Sequence, residues 1–392
     1  MAEPDNALSI ALVRARYNPF GGAERFAQRA LLALAGRGAQ VSVIGRRWAA
    51  TDESGLPETV RFERVDPFHL GSLWRDWSFA RGVQALIARR HFAIVQSHER
   101  IPGVAVYRAG DGVHAEYLTQ RCRALPAWRA AIVQMGPHHA YVKAAERAMF
   151  THPALRAVIC NSQMVREEIA QRFGVPMSRL HLIRNGVDLD HYRPPSPHER
   201  AGARATLGLA DGTPALAFVG SGFERKGLAG ALRGLAQARR RDPVLFVAGT
   251  DRHARGYRRL ASRLGVQDRV RWLGGVSDVR TLLWAMDGFV LPTLYDPFPN
   301  AALEALACGL PVLTSRKSGV AELIEEGVSG WVTDALDLDA IARALDAVCD
   351  ADAGTAARRA RAARDSVAGQ SLDAMAGQLL ALYRSLLESA AP

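Results

Sequence analysis

Short apolar runs bounded by glycine and proline alternate along the chain with longer stretches of helical spacing. Residues 8–13 predict a strand, followed by a polar loop "RARYNPFGG", a helix "AERFAQRALLALAGRG" closed by Gly36 and Gly38, and a strand "QVSVIG". Strand, helix, strand over this length is a βαβ unit and implies a parallel sheet. Further strands are predicted at "FAIVQS", "GVAVYRA", "RAVICNS" and "LHLIRNG". Residues 186–214, with Pro194, Pro195, Pro197 and Gly202, read as a connection. The alternation then restarts with "PALAFVG" as a strand, "GLAGALRGLAQARR" as a helix, "PVLFVAGT" as a strand and "HARGYRRLASRLG" as a helix. After these come the strands "VRWLGG", "DGFVLPT" and "LPVLTS" with helices between them. At the end, Leu372, Met375, Leu379, Leu382, Tyr383 and Leu386 recur at helical spacing and predict a packed helix. The pattern gives an α/β chain of two doubly wound, Rossmann-like domains, 1–185 and 186–365, with 366–392 a helix packing back on the first.

Composition supports this reading. A chain of 392 residues is too long for one core and suits two domains. A hydrophobic content of 48% with 23% charged residues is that of a folded globular protein. No apolar run approaches the roughly 20 residues that cross a bilayer, and the start "MAEPDNALSIALV" has acids where an export signal needs bases, so a cytoplasmic protein is expected. Cys122, Cys160, Cys308 and Cys349 stand far apart without a CxxC pair, which reads as reduced thiols with no metal site.

The net charge of +11 is unevenly spread. Residues 1–185 hold 25 Lys and Arg against 15 Asp and Glu, a balance of +10, while 186–392 hold 25 against 24, a balance of +1. The basic half suits an anionic partner such as nucleic acid, a membrane surface or a phosphorylated substrate; solvated arginines are the plain alternative. None of the expected nucleic-acid-binding modules is present.

Two stretches carry candidate chemistry. In "FVGSGFERKGLAGAL" a buried strand ends at Gly220, and Arg225 and Lys226 stand just before a helix beginning near Gly227. Ligands in open α/β sheets bind at the carboxyl ends of strands, where a helix N-terminus favours phosphate. Cations at a helix start oppose its dipole unless an anion lies between them. Arg225 can grip a phosphate bidentately while Lys226 acts as a point charge. In "LPTLYDPFPNAALEALACGLPVLTS", Asn300 reads as the helix N-cap, with Asp296 in the preceding loop and Glu304 one turn in. In a parallel sheet both carboxylates fall at the carboxyl end of "GFVLPT", beside Arg225 and Lys226, where they suit sugar hydroxyls joined through a diphosphate. Taken singly, Asp296 is an ordinary turn residue and Glu304 complements a helix dipole.

Together these stretches, with "GGVSD", "RNGVD" at 184–188 and "NPFGGAERF", resemble the family 4 retaining glycosyltransferases of GT-B fold. The family carries two glutamates separated by seven residues; Asp296 and Glu304 hold those places here. "PFGG", "RKG" and "IPGVAVYRAGDGVHAEY" also resemble the members that add glucose to the inner-core heptose of lipopolysaccharide. The resemblance implies a hexose moved with retention from a UDP-sugar to a lipopolysaccharide core or other lipid-linked acceptor, with no metal and no cofactor. The acceptor would be phosphorylated, and the protein would sit on the anionic cytoplasmic face of the inner membrane without binding nucleic acid. Domain 1–185 would take the acceptor and 186–365 the donor. Arg225 and Lys226 would hold the diphosphate, Glu304 the ribose and Asp296 the donor sugar. Gly21 and Gly22 would lie against phosphate or sugar, with Gly222, Val276, Phe298 and Asn300 completing the donor site. Asp111 would stand near the reacting carbon, with His114 as the competing candidate; a turn aspartate before glycine remains the alternative for Asp111.

Two departures from the family pattern bear on the sugar. Asp296 is one methylene shorter than glutamate, and Pro297 replaces a glycine, removing a backbone donor unless Phe298 supplies its own. An N-acetylated or amino hexose, a GDP-sugar, or a sugar-nucleotide epimerase of the same fold stay open. A glycoside hydrolase using Asp296 and Glu304 is a further rival that needs no nucleotide. "PFGG" is not a dinucleotide fingerprint, and "GSG" at 220–222 lacks a serine-hydrolase elbow. His138 and His139, without metal-ligand spacing, read as surface residues. The basic segment "LTQRCRALPAWRAAIVQMGPHHAYVKAAERAMF" reads as a packed helix pair or as a surface for an anionic membrane or phosphorylated acceptor.

Overall fold

The computed structural model describes residues 9–15, 40–46 and 60–389. It divides into one unit of Met1–Gly186 with Leu372–Pro392 and a second of Val187–Ser371.

The first unit holds strands β1 (Ser9–Val13), β2 (Gln40–Gly45), β3 (Val60–Arg64), β4 (Ile94–Ser97), β5 (Val106–Arg108), β6 (Ala157–Cys160) and β7 (Leu180–Leu182). They form one parallel sheet in the order β3-β2-β1-β4-β5-β6-β7. Side chains alternate across a strand, and β1 uses both faces. Ile10 and Leu12 pack with Met375, Leu379, Tyr383 and Leu386 of the helix Leu372–Glu388, whereas Ala11 and Val13 pack with Phe79 and Val83 of the helix Gly71–Arg89. Each of the larger side chains among these, removed from water, stabilises the unit by about 2 kcal/mol. The terminal helix thus covers one face of the sheet.

The second unit holds β8 (Ala215–Val219), β9 (Val244–Ala248), β10 (Val270–Gly274), β11 (Gly288–Leu291), β12 (Val312–Ser315) and β13 (Gly330–Thr333). Its sheet is also parallel, in the order β10-β9-β8-β11-β12-β13. Both faces are covered, so β8, β11 and β12 are buried along their whole length; β8 and β11 are apolar throughout, and in β12 the buried Thr314 and Ser315 hydroxyls donate to the carbonyls of Leu291 and Thr293. In each sheet the strand order reverses once, between β1 and β4 and between β8 and β11. That reversal opens a crevice at the carboxyl ends of the central strands, where doubly wound folds bind ligands.

Three expectations need correction. The stretch 186–214 is not a bare connection: Val187 onward belongs to the second unit, and Pro197–Thr206 is a helix. Ser196 accepts from the Glu199 backbone and Glu199 returns a bond to Ser196, a capping box with proline at the first helical position, where its missing N–H costs nothing. Strands β3 and β13 are two further edge strands that the apolar pattern does not predict; β3 is largely solvent-facing, whereas β13 is mostly buried. The helix after β11 begins at Asn300 with Pro299 as its extended N-cap (φ −70°, ψ 112°), so Asn300 is the first helical residue and not the cap. The loop "RARYNPFGG" beyond residue 15, with Gly21 and Gly22, and the helix after it lie outside the described residues.

Candidate active site

The chain leaves β8 through Gly220 into a single helical turn, Phe223–Lys226, and re-enters helix at Leu228. Phe223 anchors that turn: it is fully buried, stands edge-on to Phe218 and Tyr257, and donates its backbone N–H to Asp251 at 2.8 Å. Gly227 joins the two helical pieces at φ +79°, and a Cβ there would stand 1.8 Å from the Pro292 carbonyl oxygen. Only glycine allows this approach. The contact brings the β8 turn against the chain leaving β11, where the Arg225 carbonyl accepts from Leu294 N–H at 2.8 Å and from Thr293 Oγ1 at 2.7 Å. Gly220 lets the Lys226 stem lie flat across it, with Lys226 Cε 3.3 Å from where a Cβ would be.

These contacts aim Lys226 at Asp296. The ammonium donates directly to Asp296 Oδ2, and the Arg225 guanidinium lies 3.7 Å from the same oxygen. Phe298 adds its backbone N–H, so the donor left in question by Pro297 is directed at this carboxylate. Asp296 is itself locked: its N–H donates to Lys317 O and its carbonyl accepts from Gly319 N–H, each at 2.9 Å. Burial works to raise the Asp296 pKa, but Lys226 and Arg225 outweigh it and hold the carboxyl below its usual value. Burial pulls the Lys226 pKa down, opposed by Asp296. The anion that the cation pair calls for is therefore supplied by the protein. Arg225 stays partly open, with 38% of its side chain exposed against 12% for Lys226.

The other expected donor residues share this edge of the sheet. Gly222, at φ +76°, starts the single turn and is exposed. Val276 follows β10 and is half-buried against the core of the second unit. Glu304 sits in the helix Asn300–Ala307 and is buried. Asp251, after β9, was not singled out from sequence; its place just past a strand end was the available signal.

Asp111 and His114 lie in the first unit. Asp111 occupies the turn after β5 between Gly110 and Gly112, with Gly112 at φ +66° and its own carboxylate 63% exposed. Arg100 approaches it at 4.0 Å. His114 opens the helix His114–Arg123, and its Nε2 meets His139 Nδ1 at 3.0 Å. Burial, then Arg100, pushes the His114 imidazole down to about 3, so the ring is neutral at physiological pH. His138 and His139 are half-buried and tied to Asp76 and His114, contrary to the surface placement expected of them.

Comparisons with known proteins bear on this arrangement. Residues 199–366 match the model "Glycosyl transferases group 1", and residues 20–191 match "Glycosyltransferase Family 4". The D-inositol 3-phosphate glycosyltransferase of Mycolicibacterium paratuberculosis (strain ATCC BAA-968 / K-10) is 30% identical over 93% of this chain and 85% of its own. The chain belongs to the family 4 glycosyltransferases. A second relative, lipopolysaccharide glucosyltransferase WaaG of Escherichia coli (strain K12), is 27% identical over 82% of this chain and 84% of its own. The crystal structure of WaaG, a glycosyltransferase involved in lipopolysaccharide biosynthesis, superposes with a TM-score of 0.82 at 24% identity, covering 95% of this chain and 99% of that one. Anabaena HepE in complex with UDP-glucose superposes with a TM-score of 0.75 at 20% identity, over 96% and 99% of the two chains. The two sheets are those of a GT-B fold. As a glycosyltransferase of this family, the chain carries its cation–carboxylate cluster at the switch point between β8 and β11.

Proposed function

We propose that this family 4 enzyme moves a hexose from a UDP-sugar, with retention and without a metal, to a lipopolysaccharide core or other lipid-linked, phosphorylated saccharide. The observation that carries this reading is the convergence of Arg225, Lys226 and Asp296 at the carboxyl ends of β8 and β11. A diphosphate there meets two cations, and negative charge growing on the departing oxygen is stabilised by groups already fixed in place. Asp296 accepts from hydroxyls of the donor sugar and Glu304 from the ribose; Gly222 permits close approach to the phosphates, and Val276, Phe298 and Asn300 complete the pocket. The UDP-glucose bound by HepE and the glucosyl transfer named for WaaG support a UDP-hexose donor. The second unit takes the donor and the first the acceptor, with Asp111 beside the reacting carbon. Gly21 and Gly22 remain assigned to the donor phosphates or sugar on the motif alone.

The acceptor reading is supported by the +10 balance of residues 1–185 and by exposed apolar side chains on the first unit. Phe68, Leu70, Trp74 and Trp77 are exposed at and before the helix Gly71–Arg89, as are Trp128 and Ile132 on the helix Ala127–Gln134, which buries no residue of its own. Tryptophan beside arginine suits the boundary of an anionic bilayer, so the enzyme docks on the cytoplasmic face of the inner membrane. Among the described residues no helix is long and apolar enough to cross one.

The test is a screen of UDP-, GDP- and ADP-sugars for consumption and transfer, with UDP titrated into the wild type and into Arg225→Ala with Lys226→Ala. Removing Lys226 strands a buried carboxylate, so Asp296→Asn is added in a parallel variant. A UDP-hexose should be turned over, and both variants should keep their fold while losing roughly 100-fold or more in UDP affinity. Unchanged UDP affinity, or turnover of GDP- or ADP-sugars alone, overturns the assignment.

A further inference from the structure

We propose that Glu146 is a positioning residue for glycosyl transfer, clamping the turn Gly110–Gly112 that carries Asp111. The proposal rests on the reading that Asp111 stands at the reacting carbon. Glu146 is the one acid in the basic segment 118–150, yet it shares the buried stripe of the helix Pro137–Phe150 with Val142, Met149 and Phe150 and is only 1% exposed. Its Oε1 accepts from Arg100 Nε at 2.8 Å and from the His114 backbone N–H at 2.9 Å. Arg100 in turn donates to the Gly112 carbonyl at 3.3 Å and stands 4.0 Å from the Asp111 carboxylate. One carboxylate oxygen therefore holds the chain just after Asp111 at two points, through Arg100 at Gly112 and directly at the start of the next helix.

The turn needs such a clamp. Asp111 has glycine on either side, Gly112 adopts φ +66°, and no described atom lies within 4 Å of a Cβ built on Gly110. Bonds from Gly110 N–H to Arg108 O at 2.9 Å and from Gly112 N–H to Ala109 O at 3.2 Å close the turn, and Asn161 Nδ2 meets Gly110 O at 3.5 Å, but none of them involves the Asp111 carboxylate. A buried ion pair is a poor way to stabilise a core, since apolar side chains of like volume do as well or better. What the Arg100–Glu146 pair adds over such side chains is direction: hydrogen bonds of fixed geometry to the chain that follows Asp111. The remaining oxygen, Glu146 Oε2, is buried without a hydrogen-bond partner among the described residues. That cost is tolerated while Oε1 does its work.

The test compares Glu146→Gln, Arg100→Met with Glu146→Leu, Asp111→Asn, and Asp111→Asn in the Met/Leu background. Glu146→Gln keeps an acceptor for both donors, whereas the Met/Leu pair removes the clamp without stranding a charge, so it should fold. Transfer kcat should fall about tenfold in Glu146→Gln and about 100-fold in the pair, the scale of an ångström's misplacement. UDP affinity and donor KM should stay within twofold of wild type. Asp111→Asn should cost much less in the Met/Leu background than in the wild type, because the two act on one geometry. Full additivity, or a folded Met/Leu variant with wild-type kcat, overturns the clamp. If Asp111→Asn leaves transfer unchanged in the wild type, the Asp111 reading falls and takes this proposal with it.

Discussion

Replacing Gly227 with alanine tests the coupling of fold and site most directly. Alanine at φ +79° enters the left-handed region, which costs about 1 kcal/mol. Its Cβ would stand 1.8 Å from Pro292 O and 2.6 Å from Pro292 C, both backbone atoms that no rotamer change can move. An ordinary carbon–oxygen contact is about 3.3 Å, so the two chain segments must part by about 1.5 Å. That parting breaks the bonds from Leu294 N–H and Thr293 Oγ1 to Arg225 O, at about 1 kcal/mol each. The total is about 3 kcal/mol, which in a unit of this size lowers the unfolding temperature by about 9 °C. Lys226 is the adjacent residue, so UDP affinity should fall at least about tenfold as its reach to Asp296 is lost. Scanning calorimetry and UDP titration read the two effects. Gly202→Ala is the control: this exposed helical glycine has nothing within 4 Å of a Cβ, and the change should stabilise by about 0.5 kcal/mol. A Gly227→Ala protein that unfolds within 2 °C of wild type, at roughly its UDP affinity, refutes the reasoning.

Two further outcomes follow from named residues. Trp74→Ser, Trp77→Ser and Trp128→Ser together should weaken sedimentation with vesicles containing anionic lipid by roughly 100-fold, if each ring loses about 1 kcal/mol of apolar contact; unaltered partitioning would exclude this face from the bilayer. Burial lowers the imidazole pKa of His98, His114, His139 and His181. Below about pH 6.5 the unfolded chain takes up protons at these rings while the folded one does not, so stability is full above that pH and falls as acid is added. The unfolding temperature should drop by more than about 5 °C between pH 7.5 and 5.0; a flat profile would mean that the rings charge freely in the fold.

The GT-B architecture was legible because its central strands are buried on both faces and read as short, mostly apolar runs. "ALAFV", "GFVL" and "VLTS" became β8, β11 and β12 with boundaries shifted by a residue or two. Of the edge strands, β7 and β10 were legible and β3 and β13 were not: "VRFER" in β3 mixes charged with apolar residues and is largely exposed. The helix Pro197–Thr206 was passed over because its proline was read as a breaker, although Ser196 and Glu199 announced a cap. At the site, a parallel sheet was enough to bring Arg225 and Lys226 beside Asp296, and the structure puts them in contact. That Asp296 would be the anion between the cations was not legible. It depends on the close approach at Gly227, which no local pattern reveals. Glu146 could have been found, since an acid four residues from Val142 and three from Met149 falls on an apolar stripe.

The route of the chain also constrains the order in which the protein can be made. Residues of the second unit, Val187–Ser371, are contiguous and are all synthesised before the helix Leu372–Glu388. Until that helix arrives, no other described helix covers Ile10, Leu12, Val41 and Val43 on their side of the sheet. The first sheet, although its strands are synthesised early, therefore waits for Leu372–Glu388 before this face is sealed, and a nascent chain cut short of that helix leaves an adhesive β-surface for chaperones to shield.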